Sequence, residues 1–436
     1  MSGPRVAIVT LGCKVNTYDS ASIGQRLGDA GCRLVAADAP ADVVVVNSCT
    51  VTERACADVR KVVARARREH PGARIIVTGC WAQAAPSEVG ALGAVDHVIG
   101  IGRMDRLVET VVSAAPQPRV DVEPSRAPRA FSTYGARVFP EQTRAFLKVQ
   151  EGCDLFCTFC IVPMARGRSR SLEPRRVVEE VAALAAQGFE EVVLTGVHLG
   201  GYGEDLRPAI RLADLVEMLA ERALIPRLRL SSVDPHEVDE RLLGVMRDAP
   251  SVCDHLHVPL QSGDDDVLRR MRRRYDTALA AERLAMIRAE LPQAHIGTDL
   301  IAGFPGEDEA AFERTLAFVA EQPITYAHVF PYSPRRATTA AKLPDRPAPG
   351  EGRRRAAQLR RLCGERQLAF LRTLDGMEAE VLVERGRDSR SGLLRGYTRN
   401  YTRVVLPGPD AWAGRRVRVR LSAGDGPVMH AVAVVP

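Results

Sequence analysis

Residues 145–163 read AFLKVQEGCDLFCTFCIVP, an apolar run that leads straight into three closely spaced cysteines, and the rest of the chain is best read outward from there. Cys153, Cys157 and Cys160 stand at C-x3-C-x2-C spacing. At the chain's own frequency of 10 cysteines in 436 residues, such a triplet is expected by chance roughly 0.005 times. Thiolates are soft ligands for zinc or iron-sulfur clusters, and close spacing lets them wrap one compact centre. Three protein ligands on a four-iron cube leave one iron with an open position. An open position binds a substrate rather than bracing a fold, as in catalytic against structural zinc. The structural alternative, a zinc knot, needs a histidine as fourth ligand, and none lies within the loop.

The flanking pattern predicts the fold that carries this loop. Six candidate strands, at 145–150, 191–195, 227–231, 255–259, 295–300 and 324–330, alternate with helical patterns at 175–187, 237–248, 277–290 and 308–321. Six β/α units predict a partial or open barrel, whose reactive groups collect at the C-terminal strand ends. Candidates there are Thr195, Gly196 and His198; Ser231, Ser232 and Asp234; Gln261 and Ser262; and Gly303 and Glu307 within DLIAGFPGE. A polar cap or turn residue explains any one of them equally well. His255 and His257 face one side of a strand, a pattern that packing or hydrogen bonding accounts for.

Towards the N-terminus, apolar runs at 6–10, 43–47 and 75–78 alternate with amphipathic stretches at 17–30 and 52–68, which predicts a small doubly wound parallel sheet. Cys13, Cys49 and Cys80 each lie just beyond the end of one of these runs. Neighbouring parallel strands put such ends side by side, where doubly wound sheets bind ligands. Three cysteines distant in sequence are therefore predicted to converge, the alternative being three unrelated buried thiols. Cys32, Cys56, Cys253 and Cys363 lack that regularity and read as packing residues.

Residues 116–138, with Pro116, Pro118, Pro124 and Pro128, read as a linker between a domain at 1–115 and one at 139–370. An Arg-rich helical segment at 351–374 leads to an all-β pattern at 379–384, 401–406, 416–421 and 428–435, a small barrel in a third domain at 371–436. That domain holds 11 Arg against 7 Asp plus Glu, with Tyr397, Tyr401 and Trp412, a composition suited to phosphates and to stacking on bases. Arginine clusters at 269–274 and 353–361 suit phosphate or a solvated helix face. No stretch approaches a membrane span of about 20 apolar residues and no secretory signal opens the chain. The cytoplasm is the expected compartment, and disulfides are not expected.

In order and over most of the chain, TLGCKVNTYDS (10–20), VVVVNSCTVTERA (43–55), GCWAQ (79–83) and KVQEGCDLFCTFCIVPMARGRSRS (148–171) resemble the radical S-adenosylmethionine methylthiotransferase family. The resemblance implies two 4Fe-4S clusters, one on Cys153, Cys157 and Cys160 that chelates S-adenosylmethionine, and one on Cys13, Cys49 and Cys80 involved in sulfur insertion. It also implies a terminal RNA-binding TRAM barrel. Thr195, Gly196, His198, Ser231, Gln261 and Glu307 are then expected contacts of S-adenosylmethionine. The family's branches act on isopentenyladenosine in tRNA, on N6-threonylcarbamoyladenosine in tRNA, or on an aspartate of a ribosomal protein. CKVN, VTERA and LTGVHLGGYGED (194–205) are most similar to the threonylcarbamoyladenosine branch, which implies the tRNA anticodon loop as partner, with an electron donor and a sulfur source besides. Trp81 and Ser48 depart mildly from the family's more usual tyrosine and threonine. A competing class is a metal-stabilised RNA-binding protein without catalysis. Nucleotide hydrolysis has little support, since no G-x4-G-K-[ST] loop is present.

Overall fold

The run VVVVNS is buried at every position, as a strand covered on both faces of a parallel sheet must be. In the computed structural model, which describes residues 3–113, 117–125, 131, 135–136, 139 and 142–434, it lies inside a six-stranded sheet. From one edge the order is Arg33–Val35, Arg5–Thr10, Val43–Ser48, Arg74–Thr78, His97–Ile99 and Val120–Asp121, with every pair parallel. Alternate side chains take opposite faces. Val43 and Val45 pack with Ile23, Leu27 and Leu107 from helices Lys14–Asp29 and Met104–Val112. Val44 and Val46 pack with Val59 and Val63 from helix Glu53–Glu69. Each buried valine contributes about 1.5–3 kcal/mol, so both helical layers are held by one strand's alternation. Because the second strand in sequence lies on one side of the first and the third on the other, the chain order reverses there and leaves a crevice at the strand ends.

Strand Val120–Asp121 falls inside the stretch read as a linker. Among the described residues it pairs only with His97–Ile99, and an edge strand of two residues needs no apolar periodicity. Pro116 and Pro128 lie outside the described residues.

The second unit sets six strands side by side: Ala145–Glu151, Glu191–Gly196, Arg227–Leu230, His255–His257, His295–Ala302 and Tyr326–Pro331. Single parallel bridges, Leu228 to Val252 and Ser232 to His257, join its two halves. Among the described residues, Tyr326–Pro331 pairs with no strand on its far side and the first strand is flanked only by the short antiparallel Arg170–Ser171, so the barrel is open. Helices Pro174–Ala186, Leu212–Glu221, Glu240–Asp248, Thr277–Glu290 and Glu309–Glu321 cover the outside. Asp239, Asp276 and Asp308 cap three of them through their side chains.

Helix Glu351–Thr373 packs on strand Tyr326–Pro331 and leads to a closed five-stranded barrel of Glu378–Arg387, Leu394–Thr398, Arg403–Leu406, Met429–Ala433 and Arg416–Ser422. Leu394–Thr398 is a strand beyond the four read from the sequence. Its LRGYT is interrupted by Gly396, where a side chain would strike the backbone of Leu382. No helix among the described residues is long and apolar enough to cross a membrane.

Candidate metal centres and cofactor site

Register brings the N-terminal cysteines together. Thr10 pairs with Asn47 and Asn47 with Thr78, so three strands end level at the crevice. Cys13 is then the N-cap of helix Lys14–Asp29, Cys49 directly follows Ser48, and Cys80 is the second residue of helix Gly79–Ala84. Two approaches are close enough to demand glycine. A Cβ on Gly12, at φ +110, would stand 2.9 Å from Cys49 Cβ and 3.1 Å from its Sγ, and one on Gly79, at φ +89, would stand 2.5 Å from the Ser48 carbonyl oxygen. Cys13 is exposed to the crevice, whereas Cys49 and Cys80 are buried. Asn16 ties the loops, its Nδ2 donating to the carbonyls of Leu11 at 2.6 Å and Ser48 at 3.1 Å.

The second triad occupies the loop after strand Ala145–Glu151. The amide of Cys160 donates to the carbonyl of Cys157 at 3.0 Å and that of Cys153 to Gly167 at 3.1 Å. Arg273 donates to Cys157 Sγ at 3.2 Å and pairs with Asp234 at 2.7 Å. The 269–274 cluster is therefore not uniformly a phosphate patch, since Arg273 is turned inward against the cysteine loop. Arg355 of the 353–361 cluster is likewise buried, paired with Glu307, Glu309 and Glu351.

Arg166 connects the two triads. It ends helix Val162–Arg166 and is 1% exposed. Its Nε donates to Cys80 Sγ at 3.3 Å, one terminal nitrogen to Glu151 at 2.8 Å, and the other to Asn16 Oδ1 and Asp19 at 2.7 and 2.8 Å. Lys148 completes the network with Asp19 at 2.6 Å and Glu151 at 2.9 Å. Burial alone would raise Glu151, but Lys148, Arg166 and Arg170 overcome it and hold the carboxyl below the usual carboxylate range. Sequence reasoning missed Arg166, Arg273 and Asn16. The signal available was only that MARGRSRS follows the cysteine loop.

Burial pushes the Cys80 thiol up to about 11 and those of Cys153 and Cys160 up to about 12. A soft metal displaces such protons. Each triad then offers three sulfurs with a guanidinium against one of them, a donor set that fits an iron-sulfur cube with one open corner.

The strand-end candidates divide. Gly196 pairs with Gln150, and the His198 amide donates to Gln150 Oε1 at 2.7 Å. The His198 ring meets Glu237 at 2.5 Å; burial alone would lower it, but Glu237 and Asp234 raise it above the usual imidazole range. Thr195 is buried beside them, and the buried Ser231 hydroxyl has no partner among the described residues. Gln261 has a left-handed backbone, φ 69, and its amide donates to the Asp299 carbonyl at 2.8 Å. Ser262 meets the Thr315 hydroxyl at 3.2 Å. Glu307 is committed elsewhere: its carboxylate accepts from the Gly303 amide at 2.8 Å and from Arg355 at 2.7 Å, so it braces the loop against helix Glu351–Thr373. His255 and His257 face the barrel interior, where both rings approach the Tyr326 hydroxyl, at 2.9 and 3.3 Å.

Tyr397 and Tyr401 are not free platforms for bases. They stack on each other at 4.8 Å, under Arg144 at 4.7 and 5.2 Å, and Arg229 lies 4.7 Å from Tyr401. The two rings seal the last barrel against the open one, and Trp412 packs on the last barrel's core. Arg390, Arg415 and Arg418 remain exposed.

A cleft of about 850 Å³ runs between the first two units, lined among others by Thr50, Trp81 and Ile161, with Arg60, Arg335 and Lys342 supplying positive charge. Thr50, Trp81 and Ile161 are the residues that follow Cys49, Cys80 and Cys160, so loops of both triads border one space.

Two family models match the chain: the radical SAM superfamily over residues 147–319 and the uncharacterized protein family UPF0004 over residues 5–100. The chain is 36% identical to the threonylcarbamoyladenosine tRNA methylthiotransferase MtaB of Bacillus subtilis (strain 168), over 95% of this chain and 93% of that protein. It is 35% identical to the tRNA-2-methylthio-N(6)-dimethylallyladenosine synthase of Moorella thermoacetica, over 95% of each. Among solved structures, the radical S-adenosylmethionine methyltransferase TsrM of Kitasatospora setae superimposes with a TM-score of 0.56 at 18% identity, over 76% of this chain and 75% of that one, which is a likeness of fold. With relatives this similar over nearly its whole length, carrying the motifs and the paired cysteine sites described, the chain belongs to the radical S-adenosylmethionine methylthiotransferase family, whose tRNA-modifying enzymes use S-adenosylmethionine and a 4Fe-4S cluster.

Proposed function

We propose that this enzyme adds a methylthio group to C2 of N6-threonylcarbamoyladenosine at position 37, in the anticodon loop of tRNA. On this reading Cys153, Cys157 and Cys160 hold the cluster that takes S-adenosylmethionine, and Cys13, Cys49 and Cys80 hold a second 4Fe-4S cluster for sulfur insertion. Residues 1–115 carry the second cluster, 139–370 the radical chemistry and 371–436 the RNA-binding barrel, with 116–138 between the first two. The observation that carries the reading is Arg166, a residue of the barrel's cysteine region whose guanidinium lies 3.3 Å from a first-unit cysteine. It ties the loop that follows one triad to a cysteine of the other, so the two cysteine sites are held in one fixed relation.

The adenine C2–H bond is not appreciably acidic, so a positioned base gives no route to a carbon-sulfur bond. When bound, the cluster and S-adenosylmethionine supply a carbon radical able to attack it. The chain's own residues bind, orient and exclude water. Gln150 fixes the loop from Gly196 to His198 through its hydrogen bond to the His198 amide. Thr195, Gly196, His198, Ser231 and Gln261 line the strand ends where the cofactor is expected, and the unpaired Ser231 hydroxyl is free to meet it. Arg273 holds Cys157 and Asp234 in fixed relation. Exposed arginines of the last barrel supply salt-sensitive contact with the RNA backbone. A reductant and a sulfur source come from other molecules, and the cytoplasm is where tRNA is met.

The Moorella relative is nearly as similar as the Bacillus one, which keeps isopentenyladenosine as the second reading. Mass spectrometry of tRNA nucleosides from cells lacking the gene decides between them. Loss of the methylthio form of threonylcarbamoyladenosine is expected, and loss of the isopentenyl product alone would replace the proposal. Cys13→Ala and Cys157→Ala should each abolish the product, with only Cys157→Ala also abolishing cleavage of S-adenosylmethionine.

A further inference from the structure

After strand Tyr326–Pro331 the chain leaves the barrel, meets the first unit and returns, and on the way it touches a loop of each triad. Going out, the Ser333 hydroxyl accepts from the Glu53 amide at 3.0 Å. Arg335 reaches further: one terminal nitrogen donates to Glu53 at 2.7 Å, and the other to the Thr50 hydroxyl at 2.8 Å and to Cys56 Sγ at 3.2 Å. Coming back, Thr338 closes a turn on the Arg335 carbonyl, donating from its amide at 2.8 Å and from its hydroxyl at 2.7 Å. Ala340 then packs with Phe159 and Phe304, and its amide donates to the Thr158 carbonyl at 2.8 Å. Thr50 follows Cys49 and Thr158 follows Cys157, so the stretch 335–340 grips the neighbour of one cysteine in each triad. The contacts of Arg335 differ in weight. The Glu53 side chain is 61% exposed, where an ion pair contributes little. Thr50 and Cys56 are each 1% exposed, and a charged hydrogen bond to a group shielded from water is among the stronger ones. Arg335 also lines the cleft that the loops of both triads border.

We propose that Arg335 is a positioning residue for sulfur insertion, holding the Cys49 loop at one distance from the Cys157 loop through Thr50 and Cys56. This rests on the functional reading above. Insertion of sulfur needs both triads in register, whereas cleavage of S-adenosylmethionine needs only Cys153, Cys157 and Cys160. The bond from the Ala340 amide to Thr158 does not use the Arg335 side chain, so removing that side chain frees the Cys49 end of the tie and leaves the other end seated. A misplacement of about 1 Å costs on the order of 100-fold in rate. S-adenosylmethionine is then cleaved at its usual rate without methylthio product to match. The Arg166 fork reaches the Cys80 loop and Arg335 the Cys49 loop, so two separate arginines fix two separate strand ends of the first unit.

The test compares full-length wild type, Arg335→Met, Arg335→Lys and Glu53→Gln, each purified anaerobically with its iron and sulfide. Amide hydrogen exchange, read by mass spectrometry, should quicken about 10- to 100-fold over residues 49–56 in Arg335→Met, the range opened by losing one charged hydrogen bond, and stay unchanged over residues 153–160. With anticodon stem-loop RNA bearing threonylcarbamoyladenosine, deoxyadenosine released per methylthio product should rise by about tenfold or more in that variant, while S-adenosylmethionine cleavage stays within about twofold of wild type. Arg335→Lys keeps the cation and should recover part of both effects. Glu53→Gln removes only the exposed partner and should stay within about twofold of wild type throughout. Unchanged exchange over residues 49–56, or an unchanged product ratio, in Arg335→Met overturns the proposal. A parallel fall in cleavage, or iron per chain falling by about half, does so too, because Arg335 would then be a general support. Glu53→Gln as impaired as Arg335→Met would reduce Arg335 to an ion-pair clamp and equally overturn it. A wild type that yields methylthio product only from isopentenyl RNA overturns the substrate reading alone, and the ratio is then read on that RNA. A wild type that yields it from neither RNA overturns the functional reading and the proposal together.

Discussion

Replacing Arg166 by alanine should detach the first unit from the barrel. In the native protein Arg166, Lys148 and Arg170 face Asp19 and Glu151, three cations against two carboxylates, with Glu151, Arg166 and Lys148 at most 4% exposed. Arg166→Ala leaves Asp19 with Lys148 as its remaining ion-pair partner, while Glu151 keeps Lys148 and Arg170, and removing one member of such a buried set costs about 3–5 kcal/mol. The lost hydrogen bonds to Asn16 and Cys80 add about 1 kcal/mol each. Asp19, at 15% side-chain exposure, recovers some hydration, so the total should stay near 3–5 kcal/mol. Urea unfolding of the anaerobic protein, followed by the fluorescence of Trp81 in a Trp412→Phe background, reads the first unit alone. Arg166→Lys should cost less, because a cation remains against Asp19 although the fork does not. Adding Asp19→Asn to Arg166→Ala removes the carboxylate that lost its guanidinium and should recover about half the loss. A loss under 1 kcal/mol, or a double variant no better than the single one, would refute the claim that the Arg166 ion pairs hold the units together.

Gly79→Ala should unfold the turn that presents Cys80, since the new Cβ would stand 2.5 Å from one backbone atom of Ser48 and 2.6 Å from another at a φ of +89; iron per chain, measured after anaerobic reconstitution, should fall by about half, from two clusters to one. His295 stacks on Phe370 at 4.8 Å, and burial holds its ring at about 3, so the folded state excludes a proton that the unfolded state binds below its ordinary value of about 6.5. Its share of stability is complete above that value and is lost as pH falls towards 3, about 1.4 kcal/mol between pH 7.5 and 5.5; urea midpoints at those two pH values should move less in His295→Gln, and an unchanged shift would show that the ring is not held neutral.

What the sequence revealed follows from what each feature demands. Metal binding demands a residue type at a fixed place, so C-x3-C-x2-C is visible in one dimension, and Cys13, Cys49 and Cys80 are visible because parallel strands repeat one pattern. The six barrel strands were legible from their apolar density, within two residues at their ends. Arg166 was not, because its partners Cys80, Asn16 and Asp19 lie 86 to 150 residues away, and nothing local marks an arginine that will be buried. Arg273 was misread with its neighbours for the same reason, since five arginines in a row of six look alike until packing turns one inward. Tyr397 and Tyr401 carried the composition of an RNA-binding surface, yet Arg144 and Arg229 claim them for a domain junction. Composition reports which contacts a side chain is able to make, whereas topology decides which neighbour arrives.

The charged character of the junction between the first two units bears on why it exists. An apolar interface would dock two domains at least as firmly, because desolvating charges offsets most of their attraction. Apolar contacts, however, tolerate sliding and rotation. The Arg166 fork must meet Glu151, Asp19, Asn16 and Cys80 at once, and any other docking angle leaves bare charge in a dry space. The network therefore fixes orientation more than it adds stability. Radical chemistry at a nucleobase held between two centres has that requirement, since a misplacement of about 1 Å costs on the order of 100-fold in rate.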